Sequence, residues 1–278
     1  MTKSIVFVHG AWVTPACWQL MKGYFESLGY VCIAPHWPYI DKSISDLNRS
    51  IEPAFAKTTV ESLVDYYATI IRALPESPVI IGHSFGGLIT QLLLDRGLGA
   101  RGVAIDPGNP SGVMPSVAAV LAAAPVLFQW NGWNKICKMS FKAFRTTFAN
   151  TLPKSAMRDT YDAQIVPAPG RIYFEAALGI GCSLDWKNPK RAPLLLLSAD
   201  KDYTASPSMI RAIYRRHKAS PVRVDLHTFK GRSHWLIAEP GWEAVAQDIS
   251  NWIQTYKPET CQKRDGTRRF RQSGQRQG

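Results

Sequence analysis

The chain has little with which to cross-link itself. Its five cysteines (Cys17, Cys32, Cys137, Cys182, Cys261) are odd in number, widely spaced and form no CxxC pair. That argues against a disulfide frame or a zinc site and for a reducing compartment, the cytoplasm. Also lacking is an apolar run of the roughly 20 residues that a membrane-crossing helix needs. The greasiest stretch, residues 113–128, is shorter and carries Pro115 and Pro125, so it reads as a buried or pocket-lining helix. The apolar run at residues 5–8 is broken by His9 and Gly10, too short for a secretory leader, and is expected to form a strand. No HExxH or Cys/His cluster offers a metal site, so the metal expectation is none. Gly82 to Gly87 (GHSFGG) lacks the GxGxxG spacing and has no lysine after its last glycine, which excludes a dinucleotide or phosphate loop. The site is expected to need no cofactor. Internal repeats and low-complexity tracts are absent as well.

What remains is an ordinary globular composition. The 278 residues are 46% hydrophobic and 19% charged, enough for a substantial core. Net charge is +12, and from Lys257 onward seven basic residues face two acidic ones, a local excess of +5. Residues 258–278 are polar, basic and aperiodic, and are expected to be a disordered, solvated tail rather than a nucleic-acid site.

Short β-branched runs alternate with helical patterns, which predicts a mostly parallel sheet of about six strands flanked by helices. The strands are expected near residues 4–9, 30–34, 78–83, 102–106, 193–198 and 222–229. Apolar side chains recur at helical spacing over 16–28, 58–74 and 241–256. Between residues 107 and 191 the alternation stops and helix-like segments dominate. This divides the chain into a core (1–106 and 192–257) and an inserted helical cap (107–191). Phe128, Trp130, Trp133, Phe141, Phe144, Phe148 and Phe174 supply that cap with aromatic surface to roof an apolar pocket or to pack within itself. The cap's excess of Lys and Arg hints at acidic substrates.

Gly82-His83-Ser84-Phe85-Gly86 follows the apolar strand PVII and precedes the helical run LITQLLL. By chance GxSxG occurs in about one chain of this length in ten. Between strand and helix it is a nucleophile elbow, in which only small residues two positions either side of the serine avoid a clash. A serine hydroxyl needs a base to accept its proton. Of the six histidines, His9 and His83 sit in strand-end motifs, His36 lies in a proline-flanked loop, His217 ends a basic helix, and His227 lies on a solvated strand face. His234, in the loop GRSHW between the last strand and the last helix, is the expected base. The acid belongs on a loop at a strand's C-terminal end, between serine and histidine in chain order. Asp202 in ADKDYTASP fits best, ahead of Asp200 and Asp106. The oxyanion-hole N–H groups are expected from Phe85, after the serine, and from Ala11, because Gly10 can take angles that turn the next N–H inward. Trp12 and Trp235 are expected to line the pocket.

HGAW at 9–12, GHSFGG at 82–87, ADKD at 199–202 and GRSHW at 231–235 together resemble the α/β-hydrolase superfamily over residues 4–256. The chain begins at what would be that family's third strand, and Ala199 stands where the family usually has glycine. HGAW with Cys17-Trp18 is similar to a group of small esterases and plant hydroxynitrile lyases, and SHWLIAEPGWE resembles bacterial hydrolases. The resemblance implies a serine hydrolase cleaving a carboxylic ester, with an apolar or aromatic small molecule as substrate. Perhydrolase or haloperoxidase-like chemistry, cyanohydrin cleavage and ligand sensing use the same fold and triad. The plant lyases place a lysine after the catalytic histidine; here that position is Trp235.

Overall fold

The computed structural model describes residues 3–115, 120, 124 and 126–255. Eight strands occur among them: β1 Ser4–Val8, β2 Val31–Ile33, β3 Val79–His83, β4 Arg101–Ile105, β5 Ile136–Cys137, β6 Ala168–Pro169, β7 Leu194–Ala199 and β8 Val224–Phe229. Six form one sheet in the order β2-β1-β3-β4-β7-β8, with every pairing parallel. The predicted architecture is therefore present, with strand ends shifted by at most two residues from the sequence reading. β1, β3, β4 and β7 are buried along their whole length. Continuous apolar runs such as VIIG and LLLLSA are what a sheet covered on both faces requires.

Chain order reverses at β1, which has β2 on one side and β3 on the other. Loops leaving β1 and β3 therefore diverge to opposite faces and open a crevice at the C-terminal strand ends. The motifs singled out in the sequence all sit along that edge.

Helices α1 Gln19–Ser27, α2 Ile44–Arg49, α3 Val60–Arg72 and α4 Phe85–Asp95 follow the first strands. α3 begins at a reciprocal Thr59–Ser62 capping box, worth about 1 kcal/mol. α4 is buried along nearly its whole length, as a helix emerging from the centre of the sheet must be. α5 Lys154–Gln164 and α6 Arg171–Leu178 lie within the insert, and α7 Pro207–His217 and α8 Trp242–Thr255 follow it. Val245, Ile249, Trp252 and Ile253 form the buried face of α8, the face expected from their spacing, whereas Trp242 is half-buried.

Between β4 and β7 the helices are joined by a two-stranded antiparallel ladder, β5 with β6, that the sequence reading did not anticipate. Two-residue strands carry no periodic signal. The segment docks on the body through specific polar contacts. Trp12 Nε1 donates to the Cys137 carbonyl at 3.1 Å, and Val166 N donates to the Trp12 carbonyl at 2.8 Å. Buried Glu175 accepts the N–H of Val60 at 2.7 Å and so caps the start of α3. Of the seven aromatics expected to roof a pocket, Phe128 and Trp130 are 83% and 89% exposed instead. Phe144 and Phe148 are buried, and Phe174 packs edge-on against Trp133.

No described helix is long and apolar enough to cross a membrane. Among the described residues Cys17, Cys32, Cys137 and Cys182 are free thiols; Cys261 and the expected tail lie outside them.

Candidate active site

Ser84 connects β3 to α4 with φ 58° and ψ −123°, a conformation that L-residues rarely adopt. Its N–H is anchored to the Ile105 carbonyl at 3.0 Å, and its own carbonyl accepts from Gly87, Leu88 and Gly108. A Cβ on Gly82 would fall 2.0 Å from the Gly86 carbonyl oxygen, and one on Gly86 only 1.9 Å from the Val8 oxygen. The turn therefore tolerates glycine alone at both places, and the expected elbow is built as its spacing implied.

Gly10 is required for a different reason from the one expected. It is not among the positive-φ glycines, and a Cβ there would meet the Ser84 Cβ at 2.8 Å. Close approach of the β1 loop to the serine is what excludes a side chain. The unusual backbone belongs to Trp12, with φ 65°. Ala11 and Phe85, the two expected oxyanion donors, are both buried, and neither N–H has a hydrogen-bond partner among the described residues. His9 fixes this loop: its Nδ1 donates to the Gly10 carbonyl at 2.8 Å while Nε2 accepts from Trp37 N at 3.3 Å. Burial pushes the His9 imidazole down to about 3, so it stays neutral and keeps that tautomer.

Asp202 and His234 meet as expected. Both are fully buried, and His234 Nδ1 donates to Asp202 Oδ2 at 2.6 Å. The other Asp202 oxygen accepts from Thr204 N at 2.6 Å and Ala205 N at 2.8 Å. His234 Nε2 is buried and has no hydrogen-bond partner among the described residues. Of the other acids weighed, Asp200 turns away and accepts from Gly231 N at 2.6 Å. Asp106, at the end of β4 with φ 41°, is fully buried and accepts from Ala199 N at 2.9 Å. Asp106, Asp202 and His234 each place one donor atom within 4.8 Å of the others. His234 Nδ1 and Asp202 Oδ2 are already engaged with each other in that hydrogen bond.

Two residues unanticipated in the sequence hold the histidine loop. Buried Glu239 accepts from Ser233 N at 3.1 Å and Ser233 Oγ at 2.7 Å, and Thr151 of the insert donates to the same carboxylate. His83 Nε2 donates to the His234 carbonyl at 2.7 Å. Burial and the neighbouring His234 hold the His83 imidazole well below its ordinary value, so it too is neutral.

A cavity of ≈ 120 Å³ opens at Ser84. Its wall is mainly apolar and includes Trp12, Phe85, Phe148, Tyr173 and Met209, with Asn109 and Thr204 as polar points. Pro115, Val120 and Leu127 of the 113–128 stretch also reach it, while residues 116–119, 121–123 and 125 lie outside the described ones. Among the described residues no charged side chain lines the cavity, which removes the basis for an acidic substrate. Trp235 is not a wall residue either. It is buried with its ring 5.7 Å from that of Phe148, behind the site. Tyr173, overlooked in the sequence, stacks on Trp12 at 4.7 Å and meets Phe85 edge-on at 5.2 Å. Its signal was available: Ala176 and Ala177, one helical turn on, mark the cavity-facing side of α6.

A family model described as "Alpha/beta hydrolase family" matches residues 5–248. Methylesterase 2 of Arabidopsis thaliana is 34% identical over 98 residues, and norfluorocurarine synthase 1 of Strychnos nux-vomica is 31% identical over 99. Each alignment covers 34% of this chain and 34% of the relative, so the chain spans about a third of these curated proteins' lengths. Among solved structures, a monoacylglycerol lipase from Paleococcus ferrophilus superposes with a TM-score of 0.65 at 20% identity, covering 91% of this chain and 95% of that one. A methylesterase from Arabidopsis superposes with a TM-score of 0.65 at 15% identity, covering 91% and 99%.

Proposed function

Because the chain belongs to the alpha/beta hydrolase family, we propose that it is a serine esterase acting on an uncharged carboxylic ester with an apolar acyl or alcohol group. One observation carries this reading: His234, bonded to buried Asp202 through Nδ1, has its other ring nitrogen unpartnered, and Ser84 lies in the floor of an apolar cavity.

In this reading Ser84 Oγ attacks the ester carbonyl carbon and His234 Nε2 takes the hydroxyl proton. Asp202 keeps the ring in the tautomer whose Nε2 can accept and stabilises the imidazolium that forms. The tetrahedral oxyanion accepts from the N–H groups of Ala11 and Phe85, each worth about 3 kcal/mol in the transition state. Collapse expels the alcohol, which receives the proton from His234. Water, deprotonated by the same nitrogen, then hydrolyses the acyl-serine. The methylesterase relative and the lipase and methylesterase folds support ester chemistry.

Cyanohydrin cleavage fits less well, since a departing cyanide needs a cation. The residue after His234 is the buried Trp235, and no described cavity-lining side chain is charged. The test assays p-nitrophenyl esters of graded chain length and mandelonitrile with one preparation. Ester turnover is expected, with Ser84→Ala losing at least about 10³-fold and a fluorophosphonate probe labelling only the wild type. Cyanide release without ester turnover, or a Ser84→Ala variant keeping a tenth of the activity, overturns it.

A further inference from the structure

We infer that Asp106 is a second carboxyl of the site, held in its protonated form, which donates a hydrogen bond to the Asp202 carboxylate and so positions that carboxylate against His234. The inference rests on the reading of Ser84, His234 and Asp202 given above.

The ends of β4 and β7 are adjacent, with Ile105 paired to Leu197, so the residues that follow them are brought together. Both carboxyls are fully buried, and one oxygen of each lies within 4.8 Å of the other and of a His234 ring nitrogen. Two carboxyls buried this close together strongly disfavour double ionisation, because each charge repels the other in a medium of low dielectric. Donors decide which one bears the charge. Asp202 accepts three hydrogen bonds, from Thr204 N, Ala205 N and His234 Nδ1. Asp106 accepts one, from Ala199 N, and its Oδ2 receives none among the described residues. An unsolvated oxygen with no donor is a poor place for negative charge and a good one for a proton, with Asp202 as its acceptor. Burial first, then the charge of Asp202 and more distantly Glu239, hold the Asp106 carboxyl well above the usual carboxylate range. The nearby His83 is neutral and offers no compensation. The left-handed backbone of Asp106, φ 41°, fits a residue held in place by its surroundings.

The consequence is graded basicity. A carboxylate that accepts a fourth hydrogen bond pulls less strongly on the His234 proton, so the base is free at lower pH. Asp106→Asn preserves both functions of the protonated acid: its carbonyl accepts from Ala199 N and its NH₂ donates to Asp202. Asp106→Leu removes both at similar volume. The experiment measures kcat, KM and the pH profile of kcat/KM for ester hydrolysis in the two variants. Asp106→Asn is expected within about threefold of wild type with an unchanged profile. Asp106→Leu is expected to lose roughly 10- to 100-fold in kcat with little change in KM, and its acid limb to move up by about one pH unit. A 10³-fold loss in Asp106→Asn would make Asp106 the charged acid and overturn the proposal, as would wild-type kcat and profile in Asp106→Leu. Should Asp106→Leu fail to fold, infrared difference spectra decide. Recorded on Ser84→Ala with and without Asp106→Asn, they should show a protonated-acid carbonyl band at neutral pH that vanishes with the Asn substitution; its absence overturns the proposal. This readout needs no turnover, so it stands or falls apart from the serine mechanism.

Discussion

The C-terminal edge of the sheet and the insert between β4 and β7 are built from different materials. Along the edge, strand ends converge and the backbone is forced into rare conformations: Trp12, Ser84 and Asp106 all have positive φ there, against Asn131 alone among the described non-glycine residues of the insert. All six histidines lie outside the insert, and residues 107–191 contain none. The edge thus holds strained turns and buried titratable groups in place through continuous parallel strands. The insert supplies apolar wall, with Phe148 set 4.9 Å from the His234 ring and Tyr173 stacked on Trp12. On the proposed reading the difference gives chemistry and selectivity separate structural sources, so substitutions in the two regions should fail in different ways.

The largest effect should come from the edge. Asp202→Asn keeps the shape, but Thr204 N and Ala205 N claim its amide oxygen and leave its NH₂ facing His234 Nδ1, which favours the wrong tautomer, so kcat/KM is expected to fall about 10³- to 10⁴-fold. Asp200→Asn, which alters only a contact to Gly231 N, should stay within about threefold. Steady-state kinetics on both variants with one ester would check this. The reverse ranking would move the acid to Asp200.

Acid should act through the buried histidines, none of which belongs to the insert. Burial lowers His9 and His217 to about 3 and holds His83 well below its ordinary 6.5. The folded state refuses protons that the unfolded chain accepts, so stability is full above 6.5 and falls as pH drops towards 3. His9 and His217 each contribute a loss of about 2 kcal/mol by pH 5, and His83 adds to it in the same direction. Denaturant unfolding at pH 7 and pH 5 reads the sum. His217→Gln, which leaves the bonded partner Gln91 a donor, should recover roughly a third of the difference. A stability independent of pH over this range would show that these imidazoles are not held neutral.

How much of this was written in the sequence follows the same division. Strand runs and the GxSxG turn are local signals, because a buried parallel strand must be apolar throughout and an elbow must have its glycines. The tight turn at Ser84 and the meeting of the His234 and Asp202 loops were therefore legible. The relation between Asp106 and Asp202 was not, since 96 positions separate them and only the β4–β7 register makes them neighbours. The direction of Trp235 was hidden too: proximity to His234 in the chain says nothing about which side of the loop its ring takes, and it packs behind the site on Phe148. The insert was read least well. Its ladder is two residues long, and aromatic content could not separate Phe148, in the cavity wall, from Phe128, on the surface.

That last distinction gives the finest test of the comparison. Tyr173 and Trp130 are both insert aromatics, but the first touches Trp12 and Phe85 in the cavity wall while the second is 89% exposed. If the insert contributes wall and nothing more, Tyr173→Ala should remove contacts that substrate and transition state share. It should then raise KM about tenfold, equivalent to 1.4 kcal/mol of uniform binding, with kcat held within about threefold. Trp130→Ala and Phe128→Ala, lacking any part in that wall, should leave both constants within about twofold. The KM and kcat of the three variants on one apolar ester decide the matter. A fall in kcat as deep as that of Asp202→Asn in Tyr173→Ala would mean that the insert takes part in the chemistry, and the separation drawn between the two regions would fail.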